Sequence, residues 1–323
     1  MIKRILIYNT GGGLGDSIQL FPLILSLQNH FKLAQLYFLS AHSNHFTDKL
    51  KEYNIKVKNL DLETKYFGFR WWHFLITKRR FEKLGIKKFD LIIDLQSKIR
   101  NTTILKKIPH LHFYSSTFNF NFCTERRMYQ QSNRLVSKTI KNLNLFLNTT
   151  IKEINYNLNN ISEIYFKEAK RLLPNNSYVG FSLTQGHPYR KKQWPIEKFI
   201  FLAKKIKQRN KVPVFFIERN NFDLINQIKS EVPNALFPEH KSNICCPALV
   251  STLSKRLDLA VSIDNGVMHM IGLSEVPMIV LFGPTNSKKF TPDNKNIKII
   301  DSKDFYKSDD ISKIGVEEVL KFI

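Results

Sequence analysis

Leu257-Asp-Leu-Ala-Val-Ser-Ile263 runs directly into Asp264-Asn265-Gly266-Val267-Met268-His269. The first part is a short continuous apolar run, the pattern of a strand buried on both faces of a parallel sheet. The second places Asx residues before a glycine and then a helix-compatible stretch, a helix start signal. In a parallel α/β sheet, ligands bind at the carboxyl ends of the strands. A helix starting at Gly266 would present unpaired N–H groups there, with roughly half a positive charge from its dipole. Glycine would let a phosphate come close to the backbone. The same residues also suit an ordinary turn with Asp264 or Asn265 as N-cap, worth about 1 kcal/mol. Spacing alone leaves both readings open.

Working outward, the same strand-then-helix alternation recurs on both sides. Tyr178–Leu183, Val212–Ile217 and Val276–Phe282 read as further buried strands, with helices at Pro195–Gln208, Phe222–Ser230 and Pro247–Lys255 between them. An earlier set begins with Ile2–Tyr8, a glycine-rich turn Thr10–Gly15 and a helix over Asp16–His30. It continues with a strand at Leu36–Leu39, a helix over Ser43–Tyr53, and a strand at Phe89–Leu95. Between the sets, residues 119–160 are polar and Asn-rich. Pro174-Asn-Asn-Ser177 is a turn cluster. The expectation is an α/β protein with two Rossmann-like domains, over residues 1–160 and 161–323, whose parallel sheets face a cleft.

Length and composition agree with this. At roughly 100–200 residues per domain, 323 residues make two domains, and 43% hydrophobic content supplies their cores. Lys and Arg number 50 against 27 acids, a formal net charge of +23. That balance predicts attraction to nucleic acid, anionic membrane surfaces or phosphorylated substrates. A genome-wide compositional bias would produce it too. Cys123, Cys245 and Cys246 form neither a disulfide framework nor a zinc spacing, and no HExxH occurs. No apolar run reaches the roughly 18 residues of a membrane span. The expected location is cytoplasmic, with peripheral contact to the inner face of the inner membrane.

Four other segments bear on chemistry. Phe282-Gly283-Pro284-Thr285 closes the neighbouring strand with a second glycine turn on the same edge. Arg190-Lys191-Lys192 precedes a helix N-terminus, against the dipole preference, and so suits pairing with phosphate. Thr10-Gly-Gly-Gly13-Leu-Gly15-Asp16 is neither a Walker A loop nor GxGxxG, and no acid ends the second strand, which argues against a nicotinamide-dependent oxidoreductase. Asp16 suits a helix cap or, alternatively, a general base at a cleft. Finally, residues 67–81 interleave Arg70, Trp71 and Trp72 with further aromatics and cations. Such a mixture suits a membrane interface or a large amphiphilic ligand, and equally a core-facing helix with a basic outer side.

Gly13-Leu-Gly-Asp16, Lys192-Gln-Trp-Pro-x-Glu197, Asp264-Asn-Gly-Val-Met-His269 and Val276-Pro-x-x-x-Leu-Phe-Gly-Pro-Thr285 occur in this order. Together they resemble the family 9 glycosyltransferases of the ADP-heptose:lipopolysaccharide heptosyltransferase type. The resemblance implies the two-domain GT-B architecture and inverting transfer of a sugar from a nucleotide donor to a lipid-linked, anionic glycolipid acceptor. It implies Asp16 as general base, Lys192 on the donor diphosphate, Asp264 on the donor, and Gly266 and His269 in the phosphate-binding turn. Gly13, Gly15, Arg70 and Trp71 are assigned to the acceptor side. Lys192 and the N–H groups near Gly266 would stabilise the departing diphosphate, so neither metal nor cofactor is expected, with ADP-heptose as the substrate donor. The chain departs from the family at Asn265, where Ser or Thr is usual, and at Phe216-Ile-Glu218-Arg-Asn, which lacks the usual glycine-rich nucleoside turn. Glu218 is the candidate nucleoside contact. These departures leave another nucleotide sugar open. A nucleic-acid reader would need a recognisable module, and none appears; a non-catalytic polyanion-binding protein is the remaining alternative.

Overall fold

The computed structural model describes residues 1–42, 44–132, 134–174, 177–186 and 188–323. It divides into two units, Met1–Tyr156 and Asn157–Ile323, against a sequence-based boundary at 160/161.

The first unit holds five strands: β1 (Arg4–Asn9), β2 (Gln35–Ser40), β3 (Lys58–Asn59), β4 (Phe89–Asp94) and β5 (His110–Ser115). All pair in parallel, in the order β3-β2-β1-β4-β5. The middles of the central strands are apolar because both faces are covered; Ile5, Leu6, Ile7, Leu91, Ile92 and Ile93 are fully buried. The chain builds outward from β1 to β3, then returns to the other side of β1 with β4. Beyond the carboxyl ends of β1 and β4 the connections therefore diverge and leave a crevice.

The second unit repeats the plan with β6 (Tyr178–Ser182), β7 (Val212–Phe216), β8 (Leu259–Ile263), β9 (Met278–Phe282) and β10 (Ile297–Asp301). Its order is β10-β9-β8-β6-β7, again all parallel, so the divergence falls between β6 and β8.

Several elements differ from the sequence reading. The helix expected over 16–30 is two helices, Leu14–Ile18 and Phe21–His30. Pro22, in the first turn of the second helix, explains the break: it has no N–H to give to the carbonyl of Ile18 and its ring crowds that carbonyl, so the first helix cannot run on into the second. The helix expected over 43–53 is absent. Its first residue, Ser43, lies outside the described residues, and the remainder forms two 3-10 turns, His45–Thr47 and Lys51–Tyr53. Phe46, Leu50 and Tyr53 are buried at helical spacing, but Asp48 leaves the helical region at φ −121°, ψ −105°. Of the turn cluster 174–177, Asn175 and Asn176 lie outside the described residues.

One packing feature bears directly on the second unit's site. Trp194 is fully buried, meets Phe199 edge-on at 4.9 Å, and donates its indole N–H to Ile314 O at 2.9 Å. Lys198 Nζ donates to the same carbonyl at 2.7 Å and to Ser312 O at 2.6 Å. Trp194→Ala should cost about 3–5 kcal/mol of stability. Trp194→Phe, which keeps one aromatic ring and leaves Ile314 O bonded to Lys198, should cost less, about 1–3 kcal/mol for the lost hydrogen bond and the small cavity. Urea unfolding of the full chain checks both.

Candidate active site

In the first unit the crevice is occupied by Thr10–Asp16. Gly13 caps the helix Leu14–Ile18, and the half-buried Asp16 turns back so that its Oδ2 accepts the Gly13 N–H at 3.1 Å. The glycines are dictated by neighbours. A Cβ on Gly11 would meet Asp16 Cβ at 2.7 Å, and one on Gly12 would meet the His42 ring at 2.5 Å. His45 Nε2 donates to Gly12 O at 3.0 Å.

The loop is tied to the strand across the divergence. Gln96, just beyond β4, donates from Nε2 to Asn9 Oδ1 at 2.7 Å and accepts the Thr10 hydroxyl at 2.6 Å. Gln96 N donates to Asp94 Oδ1 at 2.9 Å, and Thr102 and Ser115 donate hydroxyls to Asp94 Oδ2 at 2.6 and 2.8 Å. Burial pushes the Asp94 carboxyl up to about 6, against these three hydrogen bonds. None of Asp94, Gln96, His42 or His45 was singled out from the sequence. Gln96 lies 86 residues from Thr10, and no local pattern announces such a partner.

In the second unit, Lys192 and Asp264 meet. Lys192 Nζ lies 2.5 Å from Asp264 Oδ2, with side chains only 10% and 7% exposed. Lys192 N donates to Gln185 Oε1 at 2.9 Å, and its ammonium lies 5.9 Å from the Phe290 ring centre. Asp264 is set by the end of β8. Lys192 is set by Trp194, whose burial anchors the loop two residues further on.

Asn265 caps the helix Gly266–Gly272: its Oδ1 accepts Met268 N at 2.8 Å. Its Nδ2 donates to Ser182 Oγ at 2.8 Å and Thr184 O at 2.9 Å, bridging the ends of β6 and β8. The amide is thus committed to the protein's own backbone and hydroxyls. Gly266 opens that helix, whose earliest N–H groups have no intrahelical partner, and His269 is buried within it.

Glu218, exposed just beyond β7, accepts the Thr184 hydroxyl at 3.3 Å and so joins the same rim. Beside it lies a group absent from the sequence reading. Burial, then the charge of Glu218, push the Glu239 carboxyl up to about 7; the Cys245 thiol donates to it at 3.8 Å.

The Phe282–Thr285 turn leaves β9 on the same edge as Asp264 leaves β8, since Leu281 pairs with Ile263. A Cβ on Gly283 would meet Ile311 Cβ at 2.8 Å and Asp309 O at 2.9 Å, so this glycine makes room for residues 309–311. Arg70 and Trp71 are exposed in the first unit, on the turn before the helix His73–Glu82. Among the described residues no group of three or more His, Cys, Asp or Glu is arranged to hold a metal ion.

Lys192→Ala strands a nearly buried carboxylate and should destabilise the second unit by about 3–5 kcal/mol. The paired apolar replacement Lys192→Met with Asp264→Leu should recover most of that loss. Urea titrations of the two variants test the coupling.

The family model for glycosyltransferase family 9 (heptosyltransferase) matches residues 77–320. The lipooligosaccharide heptosyltransferase 2 of Campylobacter jejuni serotype O:2 is 22% identical over 296 residues, covering 89% of this chain and 83% of that protein. Among solved structures, the family 9 glycosyltransferase of Veillonella parvula superposes with a TM-score of 0.69 at 19% identity, covering 99% of this chain and 95% of that one. The Escherichia coli heptosyltransferase WaaC with ADP superposes with a TM-score of 0.69 at 15% identity, over 99% of this chain and 98% of that one. At these identities the two structures share the GT-B fold with this chain. The extent of the family match decides the identity: the chain belongs to glycosyltransferase family 9, the heptosyltransferases.

Proposed function

We propose that this glycosyltransferase is an inverting, metal-independent heptosyltransferase that moves heptose from ADP-heptose to a lipopolysaccharide-core-like glycolipid at the cytoplasmic membrane surface. The observation that carries the donor half is the nearly buried Lys192–Asp264 pair at the β6/β8 divergence. A buried ion pair contributes little net stability, and this one stands at the strand ends where α/β sheets bind ligands. Support for the sugar and acceptor comes from the family match and from relatives whose names specify heptose transfer to lipooligosaccharide.

In this reading the donor diphosphate replaces Asp264 as the counter-ion of Lys192. Asp264 then turns to accept hydroxyls of the donor sugar. The acceptor hydroxyl attacks the anomeric carbon from the face opposite the diphosphate, Asp16 takes its proton, and the configuration inverts. General-base assistance of this kind contributes about 10²–10⁴ in rate. Charge growing on the leaving diphosphate is met by Lys192 and the backbone near Gly266, each such donor being worth about 3–4 kcal/mol of barrier. Asn265 acts by holding that turn against Ser182 and Thr184. Glu218 faces the nucleoside.

Asp16→Asn should lower transfer by about 10²–10⁴ while calorimetric affinity for ADP-heptose stays unchanged; wild-type activity should persist in EDTA. Transfer by Asp16→Asn at the wild-type rate would remove Asp16 from the mechanism, and abolition by EDTA would contradict metal independence. In a thermal-shift comparison, ADP should stabilise the chain more than UDP or GDP. A larger shift with UDP or GDP would identify a different nucleotide sugar.

A further inference from the structure

The segment 66–82 is tied down from within the first unit. Tyr66 N donates to Ala41 O at 3.0 Å, and Tyr8 Oη donates to Phe67 O at 2.9 Å. Arg100 Nε donates to Gly68 O at 3.0 Å, and Gly68 N donates to His73 Nδ1 at 3.1 Å. His73, Thr77 and Phe81 form the buried side of the helix His73–Glu82. Burial, then the cations Arg80, Arg100 and Arg70, hold the His73 imidazole below its ordinary pKa, as befits a neutral packed ring.

The outer side is unlike an ordinary solvated face. Trp71, Trp72 and Leu75 are 59%, 54% and 79% exposed. Trp72 meets the His73 ring edge-on at 4.3 Å, yet both tryptophans leave more than half of their surface to solvent on a firmly held backbone. Exposed cations flank them: Arg70 before, Lys78 and Arg79 one to two turns after, on the same side of the helix. Arg80 turns away and donates to the backbone carbonyls of Leu62 and Glu63.

The patch also continues from the catalytic loop. Gly12 packs on His42, whose ring stands edge-on to Tyr66 at 5.3 Å and to Phe69 at 6.4 Å. Arg70 and Trp71 follow directly.

We infer that Trp71, Trp72 and Leu75, ringed by Arg70, Lys78 and Arg79, form a docking surface that seats the first unit on an anionic phospholipid bilayer. Tryptophans place their amphipathic rings at the headgroup level, leucine enters the acyl boundary, and the cations answer the negative surface potential. Among the described residues no helix is long and apolar enough to span a membrane, so this attachment is interfacial. It deepens the acceptor half of the proposed function, since a lipid-linked acceptor would reach Asp16 from the surface on which the patch rests.

The test uses the full chain and vesicles, with neither donor nor acceptor present, so that its failure is separable from failure of the transfer reading. Of the three tryptophans, Trp194 is fully buried, so a vesicle-induced change in Trp fluorescence reports Trp71 and Trp72. Phosphatidylglycerol-containing vesicles should shift the emission to the blue and sediment the protein, with binding that weakens as salt rises. Trp71→Ala with Trp72→Ala should lower vesicle partitioning at least tenfold. Lys78→Glu with Arg79→Glu, at exposed positions that leave the fold intact, should lower it for anionic vesicles. Equal binding to pure phosphatidylcholine, no fluorescence change, or unchanged partitioning of both variants would each overturn the inference. So would protection of the tryptophans by a soluble phosphorylated oligosaccharide but not by vesicles.

Discussion

Each sheet of this protein reverses its direction of growth once, and the candidate site residues gather where it does. Two neighbouring parallel strands send their connections to opposite sides, so their carboxyl ends cannot be closed over by their own loops. In both units a side-chain amide spans that opening. Gln96 ties the end of β4 to Asn9 and Thr10, and Asn265 ties the start of the helix after β8 to Ser182 and Thr184. An amide is suited to this because it donates and accepts from one planar group. The tie holds two chain segments in register without filling the crevice. The glycine loop that carries Asp16 and the turn that carries Asp264 both depend on these bridges.

The two units use the opening differently. In the first, the crevice displays a half-buried carboxylate on a loop of glycines packed so closely that side chains would collide with Asp16 or His42. In the second, it holds a cation and a carboxylate already neutralising each other. An ion pair with little solvent around it is a poor source of stability and a ready site for exchange, because an incoming dianion can outcompete a single carboxylate for the lysine. The basic excess of the whole chain, 50 cations against 27 acids, brings anionic substrates near but does not select among them.

Much of this was legible in the sequence, for physical reasons. The strands β1, β4, β6, β7, β8 and β9 are buried on both faces and so appear as mostly apolar runs, broken at single positions such as Asp90 and Ser262. β5, His110-Leu-His-Phe-Tyr-Ser, mixes polar and apolar residues and gives no such signal; β10, Ile297-Lys-Ile-Ile-Asp, places an exposed lysine second and starts half-exposed. Phe46, Leu50 and Tyr53 imitate a helix because two 3-10 turns also bury residues at that interval. Short motifs singled out Asp16, Lys192 and Asp264, but not which groups each would meet. Lys192 meets Asp264 across 72 residues, and Thr10 meets Gln96 across 86. Asn265, visible as a departure from the family, proved to be a bridge whose amide reaches two acceptors where a hydroxyl has a single hydrogen to give. Gly283 lies on the same edge as Asp264, and what requires a glycine there is the close approach of residues 309–311.

The anchoring of Trp194 has a consequence for how the chain comes into being. The indole N–H and the Lys198 ammonium both find their acceptors at residues 312–314, more than 110 positions further along. A ribosome delivers those carbonyls after every strand of both sheets has been made. Until then the loop bearing Lys192 lacks its clamp and Asp264 lacks its steadied counter-ion. Both sheets can assemble during synthesis, whereas the loop that carries Lys192 is clamped only once residues 312–314 have been added. The Lys192–Asp264 pair is thus steadied later in synthesis than the strands that surround it.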